Sequence, residues 1–271
     1  MKIAYTVLMP DTKSAIFAWK GDLKEIMENL KAIGYHGIEA FVRDAKDLDV
    51  SYFVKLVEKT GLEVAGIGTA PIGADDKLTL TDNSPEVRAE AISRAKGLVD
   101  LAAIFNTQVG IGKFRGAFPA DKKEEGWKWL NQGIEEICGY AASKGVTVAL
   151  EPQNKTNLNN LNNTREALDW IKSTGISNLK ILLDTYHMYV EDPSIAAGLV
   201  EAKDYLSHVH ISDSNRCYPG SSSINFQEVL RVLKALDYQG FLSLEITQKP
   251  DSLTAARKSF EYLNFILGEL N

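Results

Sequence analysis

Leu179-Lys-Ile-Leu-Leu-Asp184-Thr-Tyr-His187 decides the fold, because an almost unbroken aliphatic run ends abruptly on a charge. Three further runs end in the same way. Val146-Thr-Val-Ala-Leu150 is closed by Glu151, Leu206-Ser-His-Val209 by His210, and Phe241-Leu-Ser-Leu244 by Glu245. Short aliphatic runs of this kind read as strands buried on both faces, as in a parallel sheet covered by helices. A charged group at the end of such a strand is costly unless it is paired or bound to a metal. A set of them about one βα unit apart therefore points to one shared site. Two Glu, one Asp and one His make an oxygen-rich donor set, better suited to Mn²⁺, Mg²⁺, Co²⁺ or Zn²⁺ than to a thiophilic metal.

The pattern extends outward from these runs to the whole chain. Strands are expected near 2–9, 37–42, 63–70, 107–114, 146–151, 179–184, 206–211 and 240–246. Between them apolar residues recur at helical spacing. Such stripes are Leu23, Ile26, Met27, Leu30 and Ile33; Val87, Ala91, Ala95, Leu98, Val99 and Ala102; Trp127, Leu130, Ile134, Ile137 and Ala141; and Phe226, Val229, Leu230, Leu233 and Leu236. Gly34, Gly61, Gly145, Gly175 and Gly240 precede strands and read as helix C-caps. Pro85 after Ser84 and Pro193 after Asp192 read as helix starts, and Ser252–Leu270 as a final helix. Strands and helices alternating eight times without a linker predict a single (β/α)8 TIM barrel over residues 1–271. The competing architecture, a doubly wound sheet, has fewer strands, and no Gly-rich phosphate loop follows the first strand here. In a barrel, residues at the carboxyl ends of strands carry the chemistry. Glu151, Asp184, His210 and Glu245 occupy those ends on strands five to eight.

Composition narrows the function classes. The chain has 271 residues with 36 acidic against 30 basic side chains, a net charge of −6. That balance disfavours binding to nucleic acid or an anionic membrane. Cys138 and Cys217 form no CxxC pair and no disulfide framework, so a reduced compartment is the default. The apolar start Met1–Met9 runs into the polar stretch Asp11-Thr-Lys-Ser14, which reads as a first strand and not a signal peptide. No apolar run has the length of a membrane span. A cytoplasmic location is therefore expected, and homo-oligomerisation is left open.

A lone Glu after a strand is ordinarily a loop or helix-start charge, and only the conjunction of all four raises the metal reading above that. Period two puts His208 and His210 on one strand face, yet His208 is expected to lie away from the ion, and its apolar neighbours Leu206 and Val209 do not settle the point. His36 reads as a surface residue. Ser221-Ser-Ser223 reads as a flexible loop in preference to a phosphate cradle. The loops after the early strands, such as Met9-Pro10 and Thr69-Ala-Pro-Ile72, either shape the far wall of a pocket or are ordinary apolar loops.

Glu151 with Asn154, Asp184 with His187, His210 followed by Ser214-Asn-Arg216 and Pro219-Gly220, and Glu245 together carry a resemblance. The chain resembles the xylose isomerase-like TIM barrels, and within them the D-tagatose and D-psicose 3-epimerase group of ketose 3-epimerases. The resemblance implies that Glu151, Asp184, His210 and Glu245 bind one divalent ion, commonly Mn²⁺, and that His187 and Arg216 contact the sugar. It breaks at Asn157, where these epimerases place a second sugar-contacting Glu. The substrate is therefore not carried over.

The expected reaction is proton abstraction α to a carbonyl through a metal-bound enediolate. A 3-epimerase must return the proton to the opposite face, so two facing bases are needed. Glu151 and Glu245, three strand steps apart round the barrel, are the candidates for both. Arg216 would hold a substrate hydroxyl or carboxylate, and His187 would contact the substrate or orient a metal ligand. An aldose–ketose isomerase of the same barrel family is the alternative, needing one base and a proton carrier. A relative of the AP endonucleases would need further His ligands for a trinuclear zinc site, and none lies between His36 and His187. A non-catalytic sugar-binding barrel remains if no ion binds.

Overall fold

The strands close into a ring in chain order, and every pairing is parallel. They are β1 (Lys2–Leu8), β2 (Gly37–Phe41), β3 (Glu63–Gly68), β4 (Val109–Ile111), β5 (Val148–Leu150), β6 (Leu179–Asp184), β7 (Leu206–Ile211) and β8 (Phe241–Leu244). The computed structural model describes residues 1–15 and 17–270; Ile16 and Asn271, both within the expected domain, lie outside the described residues. The surrounding helices are α1 (Leu23–Ile33), α2 (Val50–Thr60), α3 (Ala70–Asp76), α4 (Pro85–Ile104), α5 (Lys123–Ser143), α6 (Thr164–Thr174), α7 (Thr185–Glu191), α8 (Ile195–Ala202), α9 (Phe226–Ala235) and α10 (Ser252–Leu270). The main core lies between the ring and the helices, where α1 buries Leu23, Ile26, Met27 and Leu30, and α9 buries Phe226, Val229, Leu230 and Leu233. Those are the stripes read from the sequence.

The differences from the expected layout have local causes. Strands β4 and β5 keep three residues each. The chain leaves β4 into a 3-10 turn at Lys113–Arg115, and Pro152, which has no N–H to donate, follows β5 and Glu151. Ten helices stand where eight were expected among the described residues. The additions α3 and α7 have seven residues each, too short to show a periodic stripe. Gly34, Gly61, Gly145 and Gly175 take positive φ at helix ends, but Gly240 does not, because Asp237 takes the left-handed position after α9 with φ 55°. Pro193 does not begin a helix: Ser194 caps α8, its hydroxyl accepting from Ala197 N–H at 3.3 Å.

One buried cation ties the two short strands' loops together. Arg115 is fully buried. Its guanidinium donates to the carbonyl oxygens of Gly112 (3.1 Å), Glu151 (2.7 Å), Asn160 (3.0 Å) and Leu161 (3.0 Å), and to Asn160 Oδ1 (2.9 Å). Each of the five N–H donors of the fork has a partner. Burial pulls the Arg115 pKa down to about 9, with Glu151 acting in the opposite sense. The turn after β4 is thus pinned to the loop that begins at Glu151. Arg115→Met leaves this ring of buried carbonyls without donors, and we expect it to cost about 3–5 kcal/mol in urea unfolding, given the penalty for each unsatisfied buried group. A loss below about 1 kcal/mol would show that water replaces the guanidinium.

Candidate active site

Each predicted residue arrives at the site by a different local device. Asp184 ends β6 and caps α7, its Oδ1 accepting from Tyr186 N–H at 2.7 Å. His210 lies beside it in the β6–β7 register. Glu151 donates its backbone N–H to Ile111 O at 3.0 Å, and Glu245 donates its own to Ile211 O at 3.3 Å, so both sit one residue past the sheet at its carboxyl end. The side chains converge: one donor atom from each of Glu151, Asp184, His210 and Glu245 lies within 4.8 Å of the others, and all four residues are buried. His210 Nδ1 is 3.2 Å from Glu151 Oε1 and 3.8 Å from Glu245 Oε2. This donor set fits a divalent ion, since the carboxylates supply hard oxygens and the imidazole one nitrogen.

Arg216 completes the charge balance. Its Nη1 donates to Asp184 Oδ2 and, at 3.0 Å, to Ser212 Oγ, while Nη2 donates to Glu245 Oε2 at 3.0 Å. The guanidinium faces are covered by Phe17 and Tyr186, whose ring centroids are 4.5 and 4.7 Å from Cζ. Arg216 holds a left-handed backbone with φ 60°. The loop around it is organised by Asp213, whose carboxylate accepts N–H groups from Ser214 (2.7 Å), Gly220 (3.0 Å), Ser222 (2.9 Å) and Ile224 (3.0 Å). The Ser222 amide is therefore already engaged, and Ser223 N–H is held by Ser214 Oγ at 3.2 Å.

The carboxylates divide by their surroundings. Burial acts to raise Asp184, but Arg216, His187 and His210 outweigh it and hold Asp184 below its ordinary value. Burial pushes Glu245 up to about 8, with Arg216 and His210 opposing. Burial acts against charge on His210, yet Glu39 and Glu245 lift its pKa well above the ordinary range.

A cavity of about 480 Å³ opens above the cluster. Glu151, His210, Arg216, Glu245, Gln153 and Asn157 line it on one side, and Phe17, Phe41, Ala70, Ala74 and Phe114 on the other. Thr69 and Ala70 thus reach the pocket, within and just before α3, whereas Met9 and Pro10 are not among its lining residues. Asn157 donates to Gln153 Oε1 at 2.8 Å, and Gln153 Nε2 donates to Glu151 Oε2. His187 is not among the lining residues. It is buried behind Asp184, its Nδ1 accepting from Asn154 N–H at 3.3 Å and its Nε2 standing 3.5 Å from Arg216 Nη2. His36 is a surface residue as expected, with Nδ1 accepting from Ile3 N–H at 3.1 Å.

Sequence reasoning missed Glu39 and misjudged His208. Both point into the barrel, and both contact the same cluster as His210: His208 Nε2 and His210 Nε2 each lie 2.9 Å from Glu39 Oε2. Strand periodicity put His208 on the His210 face and is the argument that holds. A charge in the middle of Gly37-Ile-Glu-Ala-Phe41 was the available signal for Glu39.

The family model of the xylose isomerase-like TIM barrel matches residues 27–265. A D-psicose 3-epimerase of Enterocloster bolteae is 27% identical over 236 residues, 84% of this chain and 77% of that protein. A 3-dehydro-D-guloside 4-epimerase of Escherichia coli K12 is 27% identical over 252 residues, 89% of this chain and 94% of that protein. In three dimensions, the 3-keto-D-glucoside 4-epimerase of E. coli superposes with a TM-score of 0.83 at 24% identity, covering 98% of this chain and 99% of the other, which shows a shared fold. With the family model spanning nearly the whole chain, the protein belongs to the xylose isomerase-like TIM barrel family.

Proposed function

We propose that this chain, folded as one domain, is a divalent-metal-dependent epimerase of keto-sugars. In this reading it removes a proton from the carbon beside a carbonyl and returns one to the opposite face. The observation that carries the reading is the convergence of Glu151 and Glu245, at the ends of β5 and β8, on His210 Nδ1 at 3.2 and 3.8 Å. Glu151, Asp184, His210 and Glu245 would hold the ion, proposed as Mn²⁺, and His210 would bind through Nδ1. A bound ion supplies positive charge against the negative charge that develops on the substrate oxygens.

The chain's own groups do the rest. Glu151 takes or gives the proton on one face and Glu245 on the other. In the metal-free site, burial raises the Glu245 pKa to about 8, so this carboxylate binds a proton readily. Arg216 lies with Nη2 on Glu245 and lines the cavity, so it would anchor a substrate oxygen. His187 would act from behind Asp184, holding the loop after Glu151 through the N–H of Asn154. The named relatives support this scheme: a ketose inverted at carbon 3 and a 3-keto-glucoside inverted at carbon 4 both change the carbon next to the carbonyl. Asn157 and Gln153 occupy the wall where a ketose 3-epimerase would place a second Glu, which leaves both substrate types within the proposal. The unpaired Cys138 and Cys217 motivate a cytoplasmic location, and no described helix is long and apolar enough to cross a membrane.

Metal analysis of protein purified without chelator should find close to one ion per chain, and an Asp184→Asn, His210→Ala double variant should lose it. Undiminished metal in that variant would remove these residues from the site.

Glu245→Gln should lower turnover by about two to four orders of magnitude, the usual loss for one member of a proton-transfer pair, with the fold intact. In D₂O the epimerised carbon should gain deuterium while its neighbours stay unlabelled. An aldose product labelled at carbon 1 or 2 would instead establish aldose–ketose isomerisation.

The site also predicts a pH dependence. A group whose folded-state pKa is raised stabilises the fold below its unfolded pKa and loses that contribution as pH rises through the folded value. For Glu245 this window runs from 4.5 to about 8, and His210 acts with the same sign. The metal-free protein should therefore lose stability across this interval. Mn²⁺ competes with the same protons, so its stabilising effect should grow from about pH 6 to about pH 8. Urea midpoints with and without Mn²⁺ measure this, and an increment that shrinks with rising pH contradicts it.

A further inference from the structure

One residue layer below the four converging side chains, the centre of the barrel is polar. Glu39 on β2 and His208 on β7 are 2% and 1% exposed. His210 Nε2 lies 2.9 and 3.1 Å from the two Glu39 oxygens, and His208 Nε2 lies 2.9 Å from Oε2. A barrel interior ordinarily takes layers of Val, Ile and Leu. Glycines of β3 and β4 flank this layer: a Cβ on Gly66 would meet Glu39 Cγ at 3.5 Å and one on Gly110 would meet Glu39 Oε1 at 4.0 Å, both ordinary van der Waals contacts. Register shifts fall immediately before Glu39 in the β2–β3 pairing and before His208 in the β6–β7 pairing, re-aiming both strands at this point. Taking a carboxylate out of water costs several kcal/mol that well-packed aliphatic side chains would not incur. Barrel stability alone therefore gives no reason for the layer.

The hydrogen bonds supply one. A carboxylate only accepts, so each Nε2 facing Glu39 carries its proton. The ring of His210 is then fixed with Nδ1 turned toward Glu151 and Glu245. We propose that Glu39 is a positioning residue for the metal centre: it accepts the Nε2 proton of His210 so that Nδ1 is presented to the divalent ion, and His208 anchors the Glu39 carboxylate in that orientation. The role rests on the metal reading above. His208 fits an anchor in a second way. With its proton on Nε2, its buried Nδ1, which has no hydrogen-bond partner among the described residues, is left as a bare lone pair and not as a stranded N–H. The same trio could itself bind a second ion, since its donor atoms also lie within 4.8 Å of one another. That would require His210 to give up both ring protons, and the 2.9–3.1 Å separations are those of hydrogen bonds.

The test titrates metal-free protein with Mn²⁺ calorimetrically. Wild type should bind one ion, and Glu39→Gln, which in either amide orientation sets an NH2 group against the Nε2–H of His210, should bind it about 10–100-fold more weakly, as loss of such an outer partner does. The double variant Glu39→Leu, His208→Leu buries no charge, keeps similar volume and should show at least the same loss; it decides the matter if Glu39→Gln does not fold. In Zn²⁺-loaded wild type, ¹⁵N spectra should place the His210 proton on Nε2. Folded variants that bind Mn²⁺ within twofold of wild type overturn the role of Glu39 alone, as does a His210 proton on Nδ1 or uptake of two ions. A wild type that takes up no ion overturns the metal centre and this role with it.

Discussion

The site is governed by the need to compensate four buried carboxylates in a small volume. Glu39, Glu151, Asp184 and Glu245 face His208, His210 and Arg216. Each pairing fixes a geometry as well as a charge. Arg216 spans Asp184 and Glu245 with the two ends of its fork, and Phe17 and Tyr186 shut water from its faces. Because charges this deep lose several kcal/mol of solvation each, the arrangement persists only if every member keeps its partner. The different behaviour of Asp184 and Glu245 follows. Both touch Arg216, but for Asp184 the charges of Arg216, His187 and His210 outweigh burial and hold the pKa down, whereas for Glu245 burial outweighs Arg216 and His210 and raises it.

Space for the Glu151 carboxylate comes from what the chain lacks just past β4: a Cβ on Gly112 would overlap Glu151 Oε2 and stand 3.1 Å from Gln153 Nε2. The result is a pocket with an acidic, metal-competent side contributed by β5 to β8 and an aromatic side contributed by the earlier elements.

The loop that begins at Glu151 shows how a family frame is refitted. Asn157 reaches Glu151 through Gln153, so a polar amide relay lines this wall of the cavity. Arg115 holds the base of this loop through main-chain carbonyls, which ties its shape to the turn after β4 and not to any particular sugar. The wall can change its chemistry while its backbone stays in place.

The sequence by itself determined the ring of strands and the four residues at its carboxyl end. Both depend on local pattern: aliphatic runs between helical stripes, and a charge where each run stops. Leu179–Asp184 and Leu206–Ile211 appear in the structure with the bounds read from the chain. Only the tertiary structure decided which polar residues meet. Glu39 is 171 residues from His210, and Arg115 is 36 from Glu151, and no spacing along the chain encodes either contact. The helices α3 and α7 were likewise illegible, because seven residues leave no period to detect. His208 lay between the two levels: strand alternation gave its face, but only closure of the barrel brought Glu39 to meet it.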